Sequence, residues 1–150
     1  MSSALVAIPS VEEILMLHSM QLARFGGMDG TRDRTMIESA LGRAQSLVDY
    51  ADADAIGVAA GLCHSIVKNH AFLDGNKRTA FAALNITLAL NGCRLTAEPI
   101  EAANMVIDLA SSRINAEECE AWVRIHAEVD QTHALLAQSD TQVSLDEPTT

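Results

Sequence analysis

Residues 70 to 79 read HAFLDGNKRT, and several of these side chains are ones that phosphate chemistry employs. His70 brings an imidazole, the side chain best suited to taking a hydroxyl proton near neutral pH. Asp74 would repel a phosphate unless a cation lay between them, and Mg2+ is the natural mediator because it prefers oxygen ligands and bridges phosphates with one or two carboxylates. Gly75 permits unusual backbone angles, so the amides of Gly75, Asn76 and Lys77 can converge on an anion at the start of the next helix, where the helix dipole favours negative charge. Lys77 adds a point charge, and Arg78 a planar fork that can hold two phosphate oxygens. Base, metal ligand, anion cradle and charge stabilisers are what phosphoryl or nucleotidyl transfer needs, since that chemistry relies on positioning and neutralisation. Taken singly, each residue has a plainer reading. His70 would be a loop histidine, Asp74 a helix cap, Lys77 and Arg78 solvated charges, and Phe72 a core anchor, the role we keep for it.

The wider composition limits what such a site can serve. Ten Lys and Arg against twenty Asp and Glu give a formal charge of −10, which argues against a broad surface for DNA, RNA or anionic lipid. Lys68, Lys77 and Arg78 nevertheless fall within one short stretch opposed only by Asp74, so a local anion site, Lys68 included, survives in an acidic chain. Cys63, Cys93 and Cys119 form no Cys-x-x-Cys pair, so neither a disulfide framework nor a zinc knuckle is indicated, and a reducing cytoplasm fits best. The opening MSSALVAIPS lacks a basic region and no apolar stretch is long enough to span a bilayer, so neither export nor a membrane partner is expected.

The elements that must position the decapeptide read as helices. The 150 residues are 49% hydrophobic, mostly aliphatic, which supports one domain with a helical core. Ser10 and Glu13 have capping-box spacing, and Val11, Ile14, Leu15, His18, Leu22 and Phe25 continue a helical stripe to about Arg24. His18, on that stripe, reads as a buried, hydrogen-bonded histidine. The stretch FGGMDGTRD then breaks the helix into a flap, a loop or short hairpin over residues 26–32. Asp33 caps a second helix with Met36, Ile37, Ala40, Leu41, Ala44, Leu47 and Val48 along one side. Asp52 or Asp54 caps a third, whose small residues suggest close packing. A fourth runs from about Asn76 to Leu90, stops at Asn91-Gly92, and is apolar most of the way round, so it is expected to be the most buried. Ile100, Ala103, Val106, Ile107 and Ala110 recur at helical intervals and define a fifth helix. Asn115 caps a sixth carrying Cys119, Trp122, Val123 and His126 and fraying past Val129; Trp122 reads as core. His64 and His70 lack same-face spacing, so a two-histidine metal site is not supported. A domain is expected over residues 1–138, followed by a disordered acidic tail over 139–150.

HxFxDGNKRT resembles the signature of the Fic/Doc family, and specifically its death-on-curing toxin branch. The resemblance extends to ARFGG and the following G-x-RD at residues 23–33, to ESALGRAQ, and to NG-x-x-L-T at residues 91–96. It implies an all-α, single-domain Fic fold of about six helices. It further implies His70 as general base, Asp74 as Mg2+ ligand, and Gly75, Asn76, Lys77 and Arg78 as the cradle for ATP. The flap, Gly26, Gly27, Met28, Asp29, Gly30, Thr31 and Arg32, matches the segment on which family members dock a target peptide in extended form, by β-augmentation. The adenylyl-transferring branch reads HPFxxGNGRxxR, whereas here Lys77 replaces its second glycine and Phe81 its last arginine. The death-on-curing relatives share both changes and are similar to kinases, placing the γ-phosphate at the target, a protein Ser/Thr hydroxyl of translation elongation factor Tu. Autoinhibited members carry [ST]-x-x-x-E-[GN], and no glutamate here is followed by Gly or Asn. Neutralisation by a separate antitoxin, binding as a helix in a groove, is therefore implied. A protein AMP-transferase and a catalytically silent binding module of the same fold stand as the alternatives.

Overall fold

In a computed structural model, which describes residues 5–130, six helices form by the local rules that the sequence announces. The first, α1 (Val11–Phe25), opens on a reciprocal capping box. Ser10 Oγ accepts from the Glu13 amide at 3.1 Å and the Glu13 carboxylate accepts from the Ser10 amide at 3.0 Å. Asp33 caps α2 (Arg34–Ala51), and Asp54 rather than Asp52 caps α3 (Ala55–Asn69) by accepting from the Gly57 amide. Next come α4 (Asn76–Leu90), α5 (Pro99–Ala110) and α6 (Ala116–His126), the last opening on a second capping box from Asn115 and Glu118.

Two short strands, β1 (Cys93–Leu95) and β2 (Ala127–Val129), pair antiparallel with Cys93 opposite Val129. The sixth helix therefore does not fray past Val129. It ends at His126, and the chain turns into a strand that pairs with the segment leaving α4. The fold is otherwise all-helical, as expected.

Two expectations about faces need correction, and the spacing on α5 does not mark its buried face. The most buried helix is α3, with nine buried residues against six for α4, because its small side chains let α2, α4 and α6 close around it. The buried face of α5 is Ala102, Met105, Val106 and Leu109, while Ile100 is 70% exposed and Ala103 and Ile107 also face outward. On α2, Met36 lies outside the buried line of Ile37, Ala40 and Ala44. The expected tail at 139–150 and the domain boundary at 138 lie outside the described residues.

Candidate functional site

The decapeptide connects the two central helices. α3 ends at His70, which adopts the left-handed conformation (φ 50°, ψ 49°) that usually falls to glycine at a helix C-terminus. The chain then buries Ala71 and Phe72, exposes Leu73 and Asp74, and re-enters helix through Gly75, itself left-handed at φ 79°. Asn76 closes this excursion with its side chain. Its Oδ1 accepts from the Phe72 amide at 3.1 Å and its Nδ2 donates to the Phe72 carbonyl at 2.9 Å. The Asn76 side chain is thus committed to shaping the loop, leaving its backbone amide to an anion.

The excursion brings most of the expected residues to one place. His70, Asp74, Gly75, Asn76, Lys77 and Arg78 line a single cavity of about 270 Å³. The amides of Asn76, Lys77 and Arg78 are in the first turn of α4, where a helix leaves its N–H groups without intrahelical partners. Lys68 is not among the lining residues. Its ammonium donates to the Ala110 carbonyl at 3.3 Å and to the Ser112 hydroxyl, so it braces the end of α5 behind the cavity wall instead of facing an anion. Larger grooves exist elsewhere: one of about 740 Å³ between α1, α4 and α5 has no histidine or carboxylate in its lining, and one of about 510 Å³ sets His64 beside Glu117 and Glu120 at the start of α6, whose acidic first turn disfavours an anion.

The flap is attached to this loop and forms no hairpin of its own. The Arg32 and Asp33 amides donate to the Ala71 carbonyl, the Leu73 amide donates to the Gly30 carbonyl at 3.1 Å, and Thr31 bridges Phe72. Two bonds join it directly to the candidate site. The Met28 amide donates to Asp74 Oδ2 at 3.1 Å, and Arg78 Nη1 donates to the Gly26 carbonyl at 3.0 Å. Arg78 also lies 5.3 Å from the centre of the Phe25 ring, with Arg24 at 5.1 Å. Gly27 makes this approach possible, because a Cβ there would fall 2.8 Å from Asp74 Oδ2 and 2.9 Å from Leu22 Cδ2.

The Met28 amide, then the Gly75 amide, which donates to Oδ1 at 2.8 Å, hold the Asp74 carboxyl below its ordinary range, with the Arg78 charge adding a smaller pull. Asp74 is therefore an ionised, exposed carboxylate next to an anion-seeking helix end, which fits an oxygen-preferring divalent cation. Among the described residues, no helix is long and apolar enough to cross a membrane, and the three cysteines are free thiols.

Sequence reasoning gave no site role to His18 or Phe25. His18 is 3% exposed, stacks on Phe72 at 3.7 Å and 7°, and places Nε2 2.8 Å from the Asp74 carbonyl. Its place on an apolar stripe signals that a buried ring nitrogen must find a partner, but not which one. Trp122 is half-buried at the core margin, stacked on His126.

Comparison with known proteins bears on the same segments. The Fic/DOC family profile matches residues 8–88, from before α1 to the last turns of α4. The chain is 33% identical over 107 residues to the protein kinase doc of Escherichia phage P1, covering 71% of this chain and 84% of that one. It is 42% identical over 76 residues to the toxin Doc of Mycolicibacterium smegmatis, covering 49% of this chain and 58% of that one.

Proposed function

The chain belongs to the Fic/DOC family, and from that premise we propose that it is a Doc-like toxin that transfers the γ-phosphate of ATP to a Ser or Thr hydroxyl of a cytoplasmic protein. The observation that carries this reading is the convergence of His70, Asp74, Gly75, Asn76, Lys77 and Arg78 on one cavity at the N-terminus of α4. A base, an ionised carboxylate and a helix end arranged in this way suit phosphoryl transfer better than simple binding.

In the proposed reaction, His70 accepts the proton of the target hydroxyl as its oxygen bonds to the γ-phosphorus. The bond from that phosphorus to the bridging oxygen breaks, and ADP leaves. The first-turn amides of α4 and the Arg78 fork hold the phosphate oxygens, and Lys77 adds charge at the cavity lip. Asp74 is the residue that would hold Mg2+, which would supply positive charge to offset that of the phosphates. The exposed flap residues Met28 and Asp29, beside Asp74, suit docking of an extended target segment, with elongation factor Tu the target that the family resemblance suggests.

Lys77 and Phe81 favour γ-phosphoryl over adenylyl transfer. Lysine fills and charges space that glycine leaves open, and Phe81, half-buried in the core margin, offers no second fork. The test uses purified protein, a bacterial lysate and ATP labelled at one phosphorus. Label at the γ position is expected on a protein band and label at the α position is not, whereas the reverse would assign the chain to adenylyl transfer. We further propose a neutralising antitoxin, because the toxin name of a relative fits a chain with no inhibitory glutamate motif.

A further inference from the structure

We infer that His18 is a positioning residue for the Asp74 carboxylate, acting through the peptide plane between Asp74 and Gly75. A trans peptide points its C=O and N–H in opposite directions, so fixing one end aims the other. The Asp74 carbonyl accepts from His18 Nε2 at 2.8 Å, and the N–H of the same plane, that of Gly75, donates to Asp74 Oδ1 at 2.8 Å. The plane is therefore held by α1 at one end and holds the candidate metal ligand at the other. Because a carbonyl can only accept, Nε2 carries the proton in this contact.

This plane needs holding because of the residue that follows it. Gly75 sits at φ 79° and ψ 15°, and glycine tolerates either orientation of the preceding peptide at little steric cost. Without a donor on the Asp74 carbonyl, the plane can turn over and withdraw the Gly75 amide from the carboxylate. His18 is itself fixed. Its ring lies flat on Phe72, which is 1% exposed, and a Cβ built on Gly75 would stand 3.5 Å from its Cδ2, so loop and imidazole are in direct contact. A buried imidazole costs free energy unless hydrogen-bonded, which a phenylalanine or leucine in the same place would avoid. The polar ring is explained by its bond to the loop.

Two variants separate positioning from packing. His18→Phe keeps the aromatic stack on Phe72 and removes the donor; His18→Gln keeps a donor near the Nε2 position and removes the stack. The first readout needs no ligand: hydrogen exchange and the proton shift of the Gly75 amide, beside the melting temperature. The second is calorimetric titration with ATP and Mg2+. His18→Phe is expected to melt close to wild type, lose protection of the Gly75 amide, and bind ATP with Mg2+ on the order of 10- to 100-fold more weakly, the usual loss when a ligand's supporting partner is removed. His18→Gln is expected to melt lower yet keep the Gly75 amide protected.

A wild-type Gly75 amide in folded His18→Phe overturns the inference. So does loss of protection in folded His18→Gln, or failure of both variants to fold, which would assign His18 to the core alone. The role of Asp74 toward metal rests on the transferase reading, and the two fail separately. A wild-type protein that binds no ATP, with the Gly75 amide responding as described, would sink that reading and leave the positioning role standing.

Discussion

His70 occupies a backbone conformation that costs an L-residue about 1–2 kcal/mol and glycine almost nothing. The cost is met by packing on either side, since Val67 and Phe72 are both buried. Replacing His70 therefore separates stability from chemistry. His70→Ala and His70→Gly should both lower target modification by about 10²- to 10⁴-fold, the contribution of a positioned base. His70→Gly should also exceed His70→Ala in unfolding free energy by about 1 kcal/mol, because only glycine relieves the left-handed backbone, less its larger entropy loss on folding. Denaturant titration beside a labelling assay checks both, and a glycine variant no more stable than the alanine variant would remove strain from the account. Gly27→Ala tests the adjoining contact. Its new Cβ, at φ 129° and 2.8 Å from Asp74 Oδ2, should push the flap off the carboxylate and remove the bond from Met28. The Asp74 carboxyl should then titrate at higher pH than in wild type, as followed by carboxyl carbon resonances; an unchanged midpoint would mean that the flap does not hold it. The residue types of the site were legible in the sequence because their chemistry is local to one decapeptide. What Lys68 and Asn76 bond to was not, since Lys68 meets the distant end of α5 and the Asn76 contacts depend on how the loop folds back.

Helix boundaries were legible for the same local reason. Ser10, Asp33, Asp54 and Asn115 all accept from amides of the helices they open, and such caps need no distant information. Faces were less legible. On α5 the line Ile100, Ala103, Ile107 competes with Ala102, Met105, Leu109 at the same helical spacing, and tertiary packing chose the second. The three-residue strands β1 and β2 are too short to show a period of two, and they exist only because two distant segments meet. Asp54 joins elements as well as capping one. Its carboxylate accepts from Arg124 Nη1 at 2.8 Å and Nη2 at 3.0 Å, tying α3 to α6, and from the Gly57 amide at 2.9 Å. The Arg124 bonds, against the cost of partial burial and with help from Gly57, lower its pKa from 3.8 to about 2. A depressed carboxylate stabilises the fold fully above its unfolded pKa and loses that contribution as pH falls through the folded value. The stability gap between wild type and Asp54→Asn should therefore be constant at pH 5–7, which is well above that range, and close between about pH 4 and pH 2. Since both partners are near half exposed, the gap should also shrink in high salt. Urea unfolding across pH measures it, and a gap that persists at pH 2 would assign the effect to lost capping geometry rather than to charge.

At the scale of the whole molecule, the groove between α1, α4 and α5 and the candidate site are separate but share Arg78. The groove of about 740 Å³ runs between α1, α4 and α5, lined by Leu17, Phe81, Ile86 and Ala89, and reaches Arg24 and Arg78 at one end. Its apolar lining suits the buried face of an amphipathic helix, and two arginines in a chain of net charge −10 favour an acidic residue on that helix. A helix seated there would compete with phosphate for Arg78, which links the proposed antitoxin to the proposed chemistry without requiring it to enter the smaller cavity. Asn85 offers a way to test this, since it lines the groove from the exposed side of α4 and lies outside the loop that carries His70 and Asp74. Asn85→Trp should fill the groove while leaving labelling of the target by the free protein intact. Coexpression with a small protein encoded beside this one should relieve growth arrest by the wild-type chain and fail to relieve arrest by Asn85→Trp. Equal rescue of both would move the antitoxin to another surface. Harmless expression of the wild-type chain with no companion gene would count against a toxin altogether, because an active toxin needs restraint from a partner to be tolerated by its own cell.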